Sequence, residues 1–250
     1  MANDILNCWE RVTIAGKQAD VFSPETLEPF RGAVIFLHGH GLKTLAEDEV
    51  FTQELNRHQL PVVCPHGGQS WWLDRVCSDF DESISPMDYL RRHVVSWIGE
   101  EWKIEPPLIG LLGISMGGQG ALQLAYRHAR EFPIVAAISP AIDFQQLVGQ
   151  GYPLDEMFSD TETARQQTVT LHLHPLNWPR HQLIVSDPAD ASWHEGAERL
   201  VSKLASTGIM FEDDLETSAG GHSWDYFRHM APRCIGFIAD RLDKERRREA

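Results

Sequence analysis

The sequence predicts an α/β protein with a mostly parallel central sheet flanked by helices on both faces. Continuous apolar runs at residues 33–37, 60–64 and 108–112 suit strands that are covered on both sides. Helical patterns alternate with these runs, the order that builds parallel sheets. With 250 residues, 42% of them hydrophobic and 23% charged, the chain is long enough for one sizeable core and short for two. A single domain spanning residues 1–250 is therefore expected.

The elements follow in order. Residues 11–15 and 18–22 alternate apolar and polar across Gly16-Lys17, as a half-buried β-hairpin does. Pro24 and Pro29 mark a loop before the first central strand at 33–37. Strands at 60–64 and 108–112 come next, and then Ala121, Leu122, Leu124, Ala125 and Ala129 recur at helical spacing over 118–130. A fourth strand is expected at 134–139 and a fifth at 182–186. Between them, residues 143–181 carry Gly149, Gly151, Pro153, Pro175 and Pro179, too long for an ordinary connection and read as a small lid-like insertion. A last strand at 210–216 precedes an amphipathic C-terminal segment at 226–242.

Composition excludes several function classes. A formal charge of -14 opposes approach to nucleic acid, which needs a positive patch. No segment has the eighteen or so uninterrupted apolar residues of a membrane span. The first ten residues have neither a basic n-region nor an apolar h-region, so a cytoplasmic protein is expected. Cys8, Cys64, Cys77 and Cys234 are widely spaced and form no C-x-x-C, which argues for reduced thiols. Lys244, Arg246, Arg247 and Arg248 alternate with acidic residues, the pattern of a frayed, solvated helix end.

Chemistry concentrates at Gly113-Ile114-Ser115-Met116-Gly117, a serine between two glycines at a strand-to-helix junction. This is the nucleophile-elbow pattern, in which the turn exposes the hydroxyl and the flanking glycines avoid clashes with neighbouring backbone. A serine hydroxyl needs a histidine to take its proton and a carboxylate to orient that histidine. Of twelve histidines, His38, His40, His66 and His222 stand where catalytic groups of a parallel sheet gather, just past strand C-termini. Only His222, after Gly220-Gly221, lies downstream of the serine, as this motif's chain order requires. For the acid, Asp187 and Asp190 both follow the strand at 182–186. Pro188 holds Asp187 extended, which favours Asp190 and leaves Asp187 as the alternative. Asp225 and Asp143 are more remote candidates. Leu37-His38-Gly39-His40-Gly41 supplies the other half of an oxyanion hole, with the N–H groups of His40 and Met116 as donors. No third ligand accompanies the H-x-H spacing, so no metal and no cofactor is expected.

These motifs together resemble the α/β-hydrolase superfamily, and within it the group holding esterase D-like, tributyrin-esterase-like, feruloyl and acetyl esterases. The resemblance rests on His38-Gly39-His40-Gly41, the Ser115 elbow, Asp187-Pro188-Ala189-Asp190 and Gly220-Gly221-His222-Ser223-Trp224-Asp225-Tyr226-Phe227. It implies an α/β-hydrolase fold, Ser115 as nucleophile, Asp190 as acid, His222 as base, and an oxyanion hole at His40 and Met116. His38-Gly39-His40-Gly41-Leu42 departs from the Ser-Gly-Leu-Thr-Cys-like loop of the group's glutathione thioester hydrolases. The expected function is hydrolysis of small soluble esters, of short acyl groups or acylated sugars. A thioesterase or acyl-protein esterase would use the same triad, whereas a non-catalytic binding protein should lack one of its members. Trp71, Trp72 and Arg75, after the strand at 60–64, are the substrate-binding candidates. The indoles can line a pocket or pack the loop down. Arg75 can hold a substrate carboxylate or pair with Asp74 or Asp79.

Overall fold

The computed structural model describes residues 8–25, 29–46, 48–174 and 176–249. Pro175 of the insertion and the first seven residues, which carry most of the N-terminal reading above, lie outside them. Among the described residues eight strands form one sheet, ordered β1-β2-β4-β3-β5-β6-β7-β8. β1 (Trp9–Ile14) and β2 (Lys17–Phe22) make the expected antiparallel hairpin, and β2 joins β4 (Val62–Pro65) antiparallel. From β4 onward every pairing is parallel, through β3 (Ala33–Leu37), β5 (Ile109–Ile114), β6 (Ile134–Ile138), β7 (His181–Val185) and β8 (Glu212–Asp214).

Alternate side chains of the central strands feed two separate cores. Ile35, Leu37, Leu111, Val135, Ala137 and Ile184 face one, while Val34, Phe36, Leu112, Ala136, Leu183 and Val185 face the other. That period of two explains the uninterrupted apolar runs, since neither face meets water. α1 (Glu49–Arg57) covers the second face with Phe51 and Leu55. α2 (Pro86–Tyr89) runs through a π-helical turn at Leu90–Val94 into α3 (Val95–Trp102) and covers the first face. α4 (Met116–Arg127) and α7 (His194–Thr207) join that layer, with Ala121, Leu122, Leu124, Leu200 and Leu204 buried. Each large side chain so buried contributes roughly 1.5–3 kcal/mol of transfer free energy.

α8 (Trp224–Glu249) runs 26 residues across the second face, longer than the amphipathic pattern at 226–242. Its last turn exposes Arg247 and Arg248 to solvent, as the sequence leads one to expect. Glu245 is buried and takes hydrogen bonds from the Arg180 guanidinium and from His181 Nε2 at 2.9 Å, so the last turns are pinned to β7.

The insertion contains two short helices, α5 (Leu154–Met157) and α6 (Thr161–Arg165), between 3-10 turns at Phe144–Leu147 and Val169–Leu171. Phe144, Leu154, Phe158, Ala164 and Val169 are buried in the same core as α4. Gln167 is bonded through its carbonyl by Gln123 and through its side chain by Arg127. Among the described residues the insertion is docked on α4 and shares its core.

Candidate active site

Ser115 stands between β5 and α4 at φ 56°, ψ −118°, a left-handed conformation rarely adopted by a residue with a side chain. Such strain is tolerated because the surroundings dictate it. A Cβ on Gly117 would overlap the Leu37 carbonyl, and one on Gly113 would overlap the Gly117 backbone. The serine N–H is held by the Ile138 carbonyl at 2.9 Å, and its own carbonyl accepts from Ala141 N–H at 3.0 Å. β5, β6 and α4 thereby fix the elbow at the C-terminal edge of the sheet.

His222 Nε2 lies 2.9 Å from Ser115 Oγ, and His222 Nδ1 lies 2.7 Å from Asp190 Oδ2. With Asp190 ionised, the network assigns the proton to Nδ1 and leaves Nε2 to accept from the serine hydroxyl. Asp190 is buried, and its other oxygen accepts from the N–H groups of Ser192 at 3.0 Å and Trp193 at 3.1 Å. Phe227 meets the His222 ring edge-on with centroids 5.3 Å apart. The three side chains that the sequence nominated are thus in one hydrogen-bonded line, although 107 positions separate Ser115 from His222.

Asp187 has a different task. It is fully buried, and accepts from Ala189 N–H at 2.7 Å, Ser218 Oγ at 2.9 Å, Ala219 N–H at 2.7 Å and Gly221 N–H at 2.8 Å. Burial pushes its pKa up, but these four donors outweigh that and hold it at about 2. Its partners belong to both loops, so it ties the segment before His222 to the segment carrying Asp190. Asp225 points to solvent near Arg228, and Asp143 pairs with Arg199, which removes both remoter acid candidates from the histidine.

Opposite the histidine runs the loop after β3. Gly39 O accepts from Leu42 N–H at 3.0 Å, closing a turn with His40 and Gly41 at its centre. A Cβ on Gly39 would stand 3.3 Å from Ser115 Cβ, so glycine permits the close approach of this loop to the serine. Among the described hydrogen bonds none engages the His40 N–H. Met116 N–H is the first of α4 and has no intrahelical acceptor. Both expected donors are therefore available beside Ser115.

His38 carries the loop. Its Nδ1–H donates to Gly39 O at 2.9 Å and its Nε2 accepts Gly67 N–H at 3.0 Å, an arrangement open only to neutral imidazole. Burial lowers its pKa to about 4. His40 turns elsewhere, its ring 5.2 Å from Tyr152 and its Nδ1 3.3 Å from Gln69 Nε2. The two histidines do not converge, and among the described residues no three His, Cys, Asp or Glu side chains are placed to hold a metal.

Trp71, Trp72 and Arg75 do not line the cleft, which corrects their assignment as substrate-binding residues. Trp72 is fully buried, donates Nε1–H to His38 O at 3.1 Å, and fills space that a Cβ on Gly67 or Gly120 would occupy. Trp71 is buried against Phe144, and its carbonyl accepts from Gln119. Both tryptophans take left-handed backbone angles, φ 58° and φ 53°, so the loop turns inward and carries its indoles into the core. Arg75 donates to Met157 O at 2.9 Å and stacks 4.6 Å above the Phe158 ring, pairing with neither Asp74 nor Asp79. The sequence did hold a signal for this packing: Gly120, inside an otherwise good helix, marks a place where something bulky crosses.

The cleft at Ser115 encloses about 280 Å³ and is lined by Gly39, His40, Gly41, Lys43, Ile114, Ser115, His222, Ser223, Trp224 and Phe227. A larger hollow of about 380 Å³ opens at the other end of the sheet, beside Arg31, Arg57 and Leu242, remote from these groups.

A mostly parallel eight-stranded sheet, with a serine elbow after β5 and a histidine loop after β8, defines an α/β-hydrolase. The chain belongs to the esterase family, whose model, described as "Putative esterase", matches residues 24–233. Membership makes it an esterase. Its structure is similar to FphF, a fluorophosphonate-binding serine hydrolase of Staphylococcus aureus, at TM-score 0.76 and 17% identity over 92% of this chain and 97% of that one. An S-formylglutathione hydrolase from Agrobacterium tumefaciens matches at TM-score 0.76 and 17% identity over 94% of both chains. A ferulic acid esterase matches at TM-score 0.73 and 14% identity, over 94% of this chain and 97% of that one. At such identities these likenesses speak to the fold.

Proposed function

We propose that this chain hydrolyses small soluble esters through an acyl-enzyme on Ser115, with His222 as general base and acid and Asp190 as the carboxylate that orients it. The observation that carries the reading is the single His222 ring, bonded through one nitrogen to Ser115 Oγ and through the other to Asp190. Ser115 Oγ attacks the ester carbonyl while Nε2 takes its proton. The N–H groups of His40 and Met116 stabilise the tetrahedral oxyanion, and the imidazolium then protonates the departing alcohol. Water repeats the sequence on the acyl-enzyme and frees the acid. A cleft of about 280 Å³ suits short acyl chains or one sugar-sized group rather than a long lipid.

The test is labelling with a fluorophosphonate, followed by a panel of esters, thioesters and amides of graded acyl length. Wild-type protein should label and Ser115→Ala should not, with ester turnover falling by several orders of magnitude in the variant. Ser115→Ala protein that still turned over esters at the wild-type rate would overturn the assignment.

A further inference from the structure

The cleft carries one positive charge and no carboxylate among its lining residues, in a chain whose formal charge is -14. That charge is Lys43, on the loop that also supplies His40. Its ammonium sits 4.1 Å above the Trp224 ring, so the indole holds it over the cleft wall, two residues past His222. Trp224 is itself steadied by Phe227 and Phe51, with ring centroids 5.7 Å and 6.3 Å away.

Among the described residues Lys43 forms one ion pair, with Asp48, and shares that carboxylate with Arg228. Asp48 lies 3.6 Å from the ammonium, beyond a hydrogen bond, and is buried behind it. It accepts Arg228 Nε at 3.0 Å and caps α1 through Phe51 N–H at 3.5 Å. Asp225 is 86% exposed and faces Arg228 at 3.8 Å. Lys43 therefore has a half-exposed ammonium with room for a further acceptor on the cleft side. A strongly acidic protein repels anions over most of its surface, so a cation that lines the cleft beside an aromatic wall offers an anion a place to settle.

We infer that Lys43 makes this esterase selective for esters that carry a carboxylate, which would meet its ammonium from the cleft side while the ester carbonyl sits at Ser115. The inference rests on the proposed triad. It moves the carboxylate-binding role from Arg75, whose guanidinium is taken by Met157 O and Phe158, to a residue that does line the cleft. The carboxylate can stand on the acyl or the alcohol side of the ester, and matched substrate pairs separate the two.

The experiment compares kcat/KM for 4-nitrophenyl hydrogen glutarate with 4-nitrophenyl valerate, and for 4-acetoxybenzoate with phenyl acetate. Wild-type protein should favour the anionic member of one pair. Lys43→Glu should lower that anionic-to-neutral ratio by about tenfold or more, because it turns an attraction at close range into a repulsion. Lys43→Arg should keep the ratio, and added salt should erode it in the wild type. An anionic-to-neutral ratio unchanged by Lys43→Glu in both pairs overturns the inference while leaving the triad standing. Failure of all four esters together with absent fluorophosphonate labelling overturns the triad reading, and this inference with it.

Discussion

Asp187 accepts the Gly221 N–H at 2.8 Å, and Gly221 is the residue immediately before the histidine that meets Ser115. A carboxylate outside the proposed triad thus sets where the loop carrying His222 begins. Gly221 takes φ +68°, and a Cβ there would press on the Ala189 carbonyl at 3.1 Å, so the two loops are as close as backbone allows.

Asp187→Ala should therefore damage both stability and reactivity. It strands the Ala189, Ala219 and Gly221 N–H groups in a buried space, each at about 1–3 kcal/mol when no water replaces the carboxylate. The melting temperature should fall by several degrees, and the fluorophosphonate labelling rate by on the order of 10²-fold as His222 loses its register. Labelling at the wild-type rate in folded Asp187→Ala protein would contradict this role.

Asp190→Asn should separate the two aspartates. The amide keeps the shape but offers Nδ1 the wrong partner, and comparable substitutions lower kcat about 10⁴-fold. Melting should move little, since the Ser192 and Trp193 N–H groups can still find the remaining oxygen. Steady-state kinetics beside a thermal melt make the comparison.

Acid should act on the Asp187 clamp late. Its folded pKa of about 2 lies below the ordinary carboxylate value of about 3.9, so its contribution is complete above about pH 4 and is lost as pH falls toward 2. The gap in melting temperature between wild type and Asp187→Asn should stay constant from pH 7 to 5 and shrink below pH 4. A gap that closes already at pH 6 would point to another group.

His38 should act earlier. Burial depresses its pKa to about 4, below the ordinary 6.5, so protonation favours the unfolded chain. Its stabilisation is whole above about pH 6.5 and declines as pH falls toward 4, by on the order of 3 kcal/mol at most. His38→Gln should be less stable at pH 8 yet lose less between pH 6.5 and 4, as pH-dependent melting would register. Equal slopes in the two proteins would remove His38 from the acid transition.

Trp72→Ala should destabilise by about 3–5 kcal/mol, because the indole is fully buried between Gly67, Gly120 and the His38 carbonyl. Trp72→Phe keeps most of the volume and loses the hydrogen bond to His38 O, so it should fall between the two in denaturant midpoint. A near-wild-type midpoint for Trp72→Ala would show that the loop is not held by this side chain.

Much of this molecule is local and was open to sequence reading. The apolar runs of β3 to β7 declare strands covered twice, because residues on both faces meet helices. The Ser115 elbow declares itself through glycines that close packing demands, and the order Ser115, Asp190, His222 follows from where parallel strands end. Pro188 pointed toward Asp190 through its backbone restriction alone.

What sequence could not assign were the roles that depend on which way a loop folds. Trp71 and Trp72 sit at the catalytic end of the sheet in sequence terms, yet two left-handed residues in succession turn them into the core. Asp187 and Asp190 are three positions apart with one composition around them. Only the docking of the Ser218 to Gly221 segment makes one a clamp and the other the partner of His222. Lys43 carries no motif at all, and reaches the cleft because the β3 loop and the start of α8 meet over Trp224. Backbone propensity and hydrophobic period are written residue by residue. The sharing of a buried carboxylate among donors 31 to 34 positions away is decided by tertiary contact.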